Sequence, residues 1–154
     1  MDGVAASIAS VIAFAGDEIV IPSNAFLMIH KPWSDLSGNA DDFRKMADDL
    51  DAVEQGILNV YKAHLKEGTD MDTVKEMMGS ETWLNGAEAE KLFNITVSDE
   101  KTYAACLSDE QKARFCHVPK EIVNTAQADN DKEKATKIAN KIKAQVVLGI
   151  SKGV

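Results

Sequence analysis

Ser7, His30 and the acids around them are the residues of this chain whose types could carry out acyl transfer. Ser7 follows Gly3 closely in Gly3-Val4-Ala5-Ala6-Ser7-Ile8-Ala9-Ser10 and opens an apolar stretch. A serine on a sharp turn at a helix start has the first backbone amides and the positive end of the helix dipole beside it. Both can hold a developing oxyanion. His30 ends the apolar run Phe26-Leu27-Met28-Ile29, where a strand delivers an imidazole able to take the serine proton. The pair then needs a carboxylate to orient the ring, and 25 Asp and Glu residues are too many to choose from by spacing. Taken singly, Ser7 is more often a small residue or a helix cap, and His30 more often a satisfied structural histidine. No G-x-S-x-G pattern singles out a nucleophile.

The elements that must position these groups follow from periodicity. Ala5 to Ala15 is small and apolar on every side and predicts a helix buried all round, with Gly16 as its stop. Ile19-Val20-Ile21 and Phe26 to Ile29 are continuous apolar runs, ended by Pro22 and Pro32, with a turn at Ser23-Asn24. Runs without alternation predict strands covered on both faces, as in α/β proteins. After a loop from Trp33 to Gly38, a long helix begins near Ala40, with Phe43, Met46, Leu50, Val53, Ile57, Val60 and His64 along a heptad-like seam. Asp41 and Asp42 in its first turn and Lys62 and Lys66 in its last match the helix dipole. Ala40 to Glu67 is 28 residues, about 42 Å. A helix of that length either projects, with its seam on another subunit, or lies across its own core. Met71 to Met78 reads as a short helix and Glu81 to Leu84 as an extended link. Asn85 caps a helix from Gly86 to Leu92, and Ile95 to Val97 is an edge strand. Ser108 and Gln111 form a capping box, and Ile138, Ile142 and Val146 make one stripe of a Lys-rich helix over Asp131 to Ile150. The domain therefore divides into residues 1–98 and a helical tail at 99–154.

A net charge of −8 argues against a phosphate-backbone binder and against docking on anionic membrane. The apolar run from Gly3 to Gly16 has no positive lead-in, is too short to span a bilayer, and is closed by Asp17 and Glu18, so neither a signal peptide nor a membrane segment is expected. Cys106 and Cys116 either pair or, in a cytoplasmic setting, stay reduced. Three scattered histidines and two cysteines offer no familiar zinc spacing, and neither a metal nor a cofactor is expected.

Gly3 to Ser10 resembles the nucleophile segment of the Clp-type proteolytic subunits, closest to the phage and prophage head maturation proteases. Phe26-Leu27-Met28-Ile29-His30-Lys31-Pro32 is similar to that family's histidine segment. Trp33 to Asp42 resembles the loop and helix start that follow, and Glu81-Thr82-Trp83-Leu84-Asn85-Gly86-Ala87-Glu88-Ala89 the segment of the third triad member. The likeness runs from about Gly3 to Ile95. It implies the ββα spiral shared by Clp proteases and crotonases, with Ser7 as nucleophile, His30 as general base and Glu81, where many relatives carry aspartate, as orienting acid. The Ile8 N–H is then one oxyanion donor. Trp33 and Trp83 are left as packing residues, His64 as a seam residue near a subunit contact, and His117 as non-catalytic. The resemblance further implies polypeptide substrates, a homo-oligomeric ring, an unfoldase ATPase or phage capsid and scaffold proteins as partners, and a cytoplasmic location.

Relatives carry strand–helix units ahead of this serine, including a glycine-rich turn that supplies a second oxyanion amide, and residues 1–154 contain nothing like it. The expectation is the C-terminal part of such a protease: a piece of a longer protein, a misplaced start or a decayed prophage gene. Two rivals stand beside the peptidase: an assembly module that keeps the oligomerising helix without activity, and an acyl-CoA-handling enzyme of the crotonase type, disfavoured by the Ser7 and His30 spacing. Losing one oxyanion donor costs about 2.7–4 kcal/mol of transition-state stabilisation. The isolated chain is therefore expected to hydrolyse a model peptide poorly even with Ser7 and His30 intact. Robust hydrolysis that disappears in Ser7→Ala overturns that expectation.

Overall fold

The computed structural model describes residues 1–100 and 107–122. The chain enters strand β1 (Val4–Ala6), turns at Ser7 into helix α1 (Ile8–Ala13), and continues through β2 (Val20–Pro22) and β3 (Phe26–Ile29). The long helix α2 (Ala40–Ala63) follows, then α3 (Met71–Gly79), β4 (Thr82–Asn85), α4 (Gly86–Leu92), β5 (Thr96–Ser98) and the short α5 (Asp109–Lys112). The architecture is mixed α/β, as the apolar runs predict. One sheet has the order β1-β3-β4 and a smaller one pairs β2 with β5.

β3 is central because its side chains can be covered on both faces: Leu27, Met28 and Ile29 are buried without alternation. β1 runs parallel to it, with Ala6 opposite Met28. β4 runs antiparallel, with Ile29 opposite Thr82. The residues read as an extended link from Glu81 to Leu84 thus belong in large part to a sheet strand, an upgrade that depends on the β3 edge being available to pair. β2 and β5 pair in parallel, matching the edge strand expected at Ile95 to Val97 to within a residue.

The helix expected over Ala5 to Ala15 needs correction. Residues 4–6 pair with β3, so only Ile8–Ala13 is helical, and this helix is not buried all round. Ile8 and Ile12 are 64% and 66% exposed, while Ser10 and the following Phe14 face inward. The physical reason is length: under two turns, the helix can lay only one face on the core, where Phe14 meets the rings of Tyr61, His64 and Phe93.

α2 starts where expected, at an Asn39 cap reinforced by Asp42. It has 24 residues, about 36 Å, and stops at Ala63 and not at Glu67. Residues 64–66 instead pair with 92–94: Leu65 bridges Phe93, the Lys66 N–H donates to the Leu92 carbonyl, and the Asn94 N–H donates to the His64 carbonyl. The buried members of α2 are Leu58 and Tyr61, near its C-terminal end, while Phe43 and Val53 are 52% and 53% exposed. The N-terminal part therefore extends beyond the core. His64 packs on Phe14 within its own chain.

α3 and α4 form where expected, α4 with a capping box between Asn85 and Glu88. Leu107 and Ile122 are buried in a second cluster that includes Val4, Phe26, Trp83, Phe115 and Val118, so the first described part of the tail lies against the sheet. The stripe at Asp131 to Ile150, and Cys106, lie outside the described residues. Among the described residues no helix is long and apolar enough to cross a membrane.

Gly86 opens α4 against the β2–β3 turn, and a Cβ there would lie 2.6 Å from the Pro22 carbonyl oxygen and 3.0 Å from Ser23 Cα. Gly86→Ala is expected to destabilise the fold by about 1–3 kcal/mol. Gly56→Ala, in the α2 interior with nothing within 4 Å, is expected to be neutral or stabilising by up to about 1 kcal/mol. Urea unfolding of both variants beside the parent checks the contrast.

Candidate active site

Ser7 sits between β1 and α1 at φ 61°, ψ −128°, a backbone region that favours glycine. Its N–H is tied to the Met28 carbonyl at 3.1 Å, and its own carbonyl accepts the Ser10 hydroxyl at 2.6 Å. The buried Ser10 Oγ in turn lies 2.6 Å from the Tyr61 hydroxyl. Burial holds the Tyr61 phenol above its usual range, against the opposing effect of its Ser10 hydrogen bond, so this bridge stays neutral. The strained turn is thus fixed from both sides, by β3 and by α2. The Ser7 side chain makes no capping bond to α1. It points instead to His30, with Oγ 2.7 Å from Nε2.

His30 follows directly on β3. The next residue is pinned: the Lys31 N–H donates to the Met78 carbonyl, and its ammonium meets Glu54 of α2 at 3.2 Å. The imidazole is half-buried, which pushes its pKa below the ordinary 6.5, while the negative charge of Glu81 acts in the opposite direction. A neutral ring whose Nε2 accepts from Ser7 carries its proton on Nδ1.

Glu81 also has a positive φ, 48°, at the bend from α3 into β4. Its carboxylate makes no hydrogen bond to His30. It accepts from main-chain N–H groups of the tail: Cys116 at 2.8 Å to Oε1 and 3.0 Å to Oε2, and His117 at 2.8 Å to Oε1. The Trp83 indole N–H adds a longer bond of 3.3 Å to Oε1. Burial pushes this carboxyl up, but the N–H donors outweigh it and hold it below the ordinary carboxylate range. The Phe115 ring stands edge-on to both His30 and Trp83, at centroid distances of 6.3 and 5.5 Å.

Two cavities flank the serine. One, about 230 Å³, is lined by Ser7, His30, Val11, Val53 and Ile57 among others. The other, about 400 Å³, is bounded by Ser7, Ala9, Leu107, Arg114 and Phe115. Ile8 and Trp33 border both. Trp33, read from sequence as a packing residue, is 58% exposed and forms cavity wall, because the loop carrying it is pinned at Lys31 and then leaves the core. Trp83 does pack, on Phe115, and also bonds the acid. Among the described residues no group of three or more His, Cys, Asp or Glu could hold a metal.

The structure therefore brings Ser7 and His30 into contact and sets Glu81 near enough to act on His30 by charge. Sequence reasoning missed Ser10 and Tyr61, which hold the Ser7 turn, and residues 115–117, which hold Glu81. Spacing gives a faint signal for Ser10, one helical turn after Ser7; Tyr61 and the tail come to the site only through tertiary packing. The family model described as Clp protease matches residues 1–92. That span contains Ser7, His30 and Glu81 and stops before the tail.

The His30 imidazole is expected to titrate below 6.5. Glu81→Gln removes a negative charge that favours the imidazolium, so it lowers the His30 pKa further. NMR titration of the ring resonances checks both; an upward shift in the variant shows that the carboxylate does not act on His30 by its charge.

Proposed function

The chain belongs to the Clp protease family, and from that premise we propose that it is a serine endopeptidase with Ser7 as nucleophile, His30 as general base and Glu81 as orienting acid. Family members are proteases that act on polypeptides and form oligomeric rings. The observation that carries the reading is the 2.7 Å contact from Ser7 Oγ to His30 Nε2, at a backbone turn that leaves the serine no capping role.

In this reading the Ser7 Oγ bonds the substrate carbonyl carbon as its proton passes to His30 Nε2. The carbonyl oxygen becomes an oxyanion beside the Ile8 N–H, one of the first-turn amides of α1 that no intrahelical bond uses. The imidazolium gives its proton to the departing amine as the C–N bond breaks, leaving an acyl-enzyme on Ser7. Water then attacks the acyl carbon, His30 takes its proton, and the ester bond breaks to free the acid and restore the serine. Glu81 favours the transient imidazolium through its charge. The cavity lined by Val11, Val53 and Ile57 suits an apolar substrate side chain next to the scissile bond.

The finer reading is a head maturation protease of phage or prophage type, acting on capsid or scaffold proteins in the host cytoplasm, with residues 1–98 as the protease-like domain and 99–154 as an extension. Its support is the local wording of the motifs and the presence of the tail. The seam of α2 is proposed to pack on a neighbouring subunit. The exposed Phe43 and Val53 on that helix also favour a second reading, an oligomeric assembly module with weak or no activity.

A fluorophosphonate probe separates the two. Covalent labelling of the chain, abolished in Ser7→Ala and reduced by roughly four to six orders of magnitude in His30→Ala, is the outcome expected of the peptidase. No labelling of the parent chain, or equal labelling of Ser7→Ala, leaves the assembly module.

A further inference from the structure

The acid proposed for the site is held by a segment that lies outside the family match. Residues 1–92 match the family, yet the main-chain N–H donors on Glu81 come from Cys116 and His117. We propose that the tail segment Phe115-Cys116-His117 is a positioning element of the catalytic centre, the Cys116 and His117 main-chain amides aiming the Glu81 carboxylate at His30. The proposal rests on the serine peptidase reading.

The geometry distinguishes the two oxygens of the acid. Oε1 is saturated, accepting from the Cys116 N–H, the His117 N–H and the Trp83 indole. Oε2 receives only the longer branch of the Cys116 contact, 3.0 Å, and keeps lone-pair capacity for a further donor. His30 uses Nε2 on Ser7, so its Nδ1–H is the donor that remains for an acid. A carboxylate anchored through one oxygen, with the other left to accept, is the arrangement that orients an imidazole without relying on its own flexible side chain. Glutamate needs such an anchor because its extra methylene adds a torsion.

The segment is itself supported. Leu107 and Ile122 are buried on either side of it in one apolar cluster, and Phe115 packs between His30 and Trp83. The donors are backbone groups, so the side chains of residues 116 and 117 are replaceable so long as the amides stay. The His117 ring nitrogen lies 4.0 Å from Oε1, beyond hydrogen-bond reach.

The test is the second-order rate of fluorophosphonate labelling of the full chain. His117→Ala keeps the amide and is expected to label like the parent. His117→Pro removes the amide and is expected to slow labelling roughly tenfold, the loss of about one hydrogen bond to a charged acceptor. In a Glu81→Ala background, His117→Pro is expected to have no further effect. An amide-to-ester replacement at residue 117 removes the same donor with the side chain intact, and it decides the matter where the proline variant does not fold. Parent-like labelling of the ester chain, or an equal drop with and without Glu81, overturns the proposal while leaving Ser7 as the nucleophile. Absence of labelling in the parent, or labelling that survives Ser7→Ala, overturns the peptidase reading itself.

Discussion

The register of β3 against its two neighbours is the constraint on which the site depends. Ala6 lies opposite Met28 in the parallel pair, so Ser7 emerges beside the end of β3, and its N–H is tied to Met28. Thr82 lies opposite Ile29 in the antiparallel pair, so the residues just beyond that rung are His30 and Glu81. Ser7, His30 and Glu81 therefore gather at one strand end because three chain segments meet there. A slip of one residue in either pairing turns every following side chain to the other face. The buried run of Leu27, Met28 and Ile29 does not itself specify register by alternation. The slip is opposed by what flanks the strands, namely the close approach of Gly86 to Pro22 and the tethering of Lys31 to Met78 and Glu54.

Two non-glycine residues with positive φ, Ser7 and Glu81, belong to this cluster. Each such conformation costs of order 1–3 kcal/mol and persists only where its surroundings over-determine it. For Ser7 the surroundings are the Met28 carbonyl on one side and the Ser10 and Tyr61 hydroxyls on the other. For Glu81 they are the end of α3, the start of β4 and the amides of the tail. The strain is concentrated on two of the three residues proposed for the site, while the rest of the described fold uses ordinary strands, caps and helices.

Much of this was legible in the chain because it is locally encoded. The run from Phe26 to Ile29 gives β3 and sets His30 at its tip, the apolar seam with Asp41 and Asp42 in its first turn marks α2, and the Asn85 cap starts α4. Ser7 and His30 were legible as residue types in plausible places. What was not legible arises from distant pairing. Strand β4 reads as a link until β3 supplies its hydrogen bonds, and α2 loses its last turn to pairing between residues 64–66 and 92–94. Tyr61 looks like one more residue of a charged helix, yet its hydroxyl closes the network under Ser7. The tail carries no local sign that its amides meet Glu81.

The two ends of α2 obey different physics, and the difference explains why this helix serves the site at one end only. Near the C-terminus, Leu58 and Tyr61 are buried, and Val53 and Ile57 form cavity wall beside Ser7. Towards the N-terminus the helix is sustained by local terms: the Asn39–Asp42 capping box, and the pairs of Arg44 with Asp41 and Lys45 with Asp49. Exposed pairs of this kind each contribute only a few tenths of a kcal/mol. An apolar seam that leaves the core while still carrying Phe43, Met46 and Leu50 is not explained by local stability, since polar residues there would serve helix formation as well. Burial is what such a stripe adds, and in a family whose members close into rings a neighbouring subunit is the natural place for it. On the proposed packing of its seam, the same helix links the wall of the cavity beside Ser7 to a neighbouring subunit.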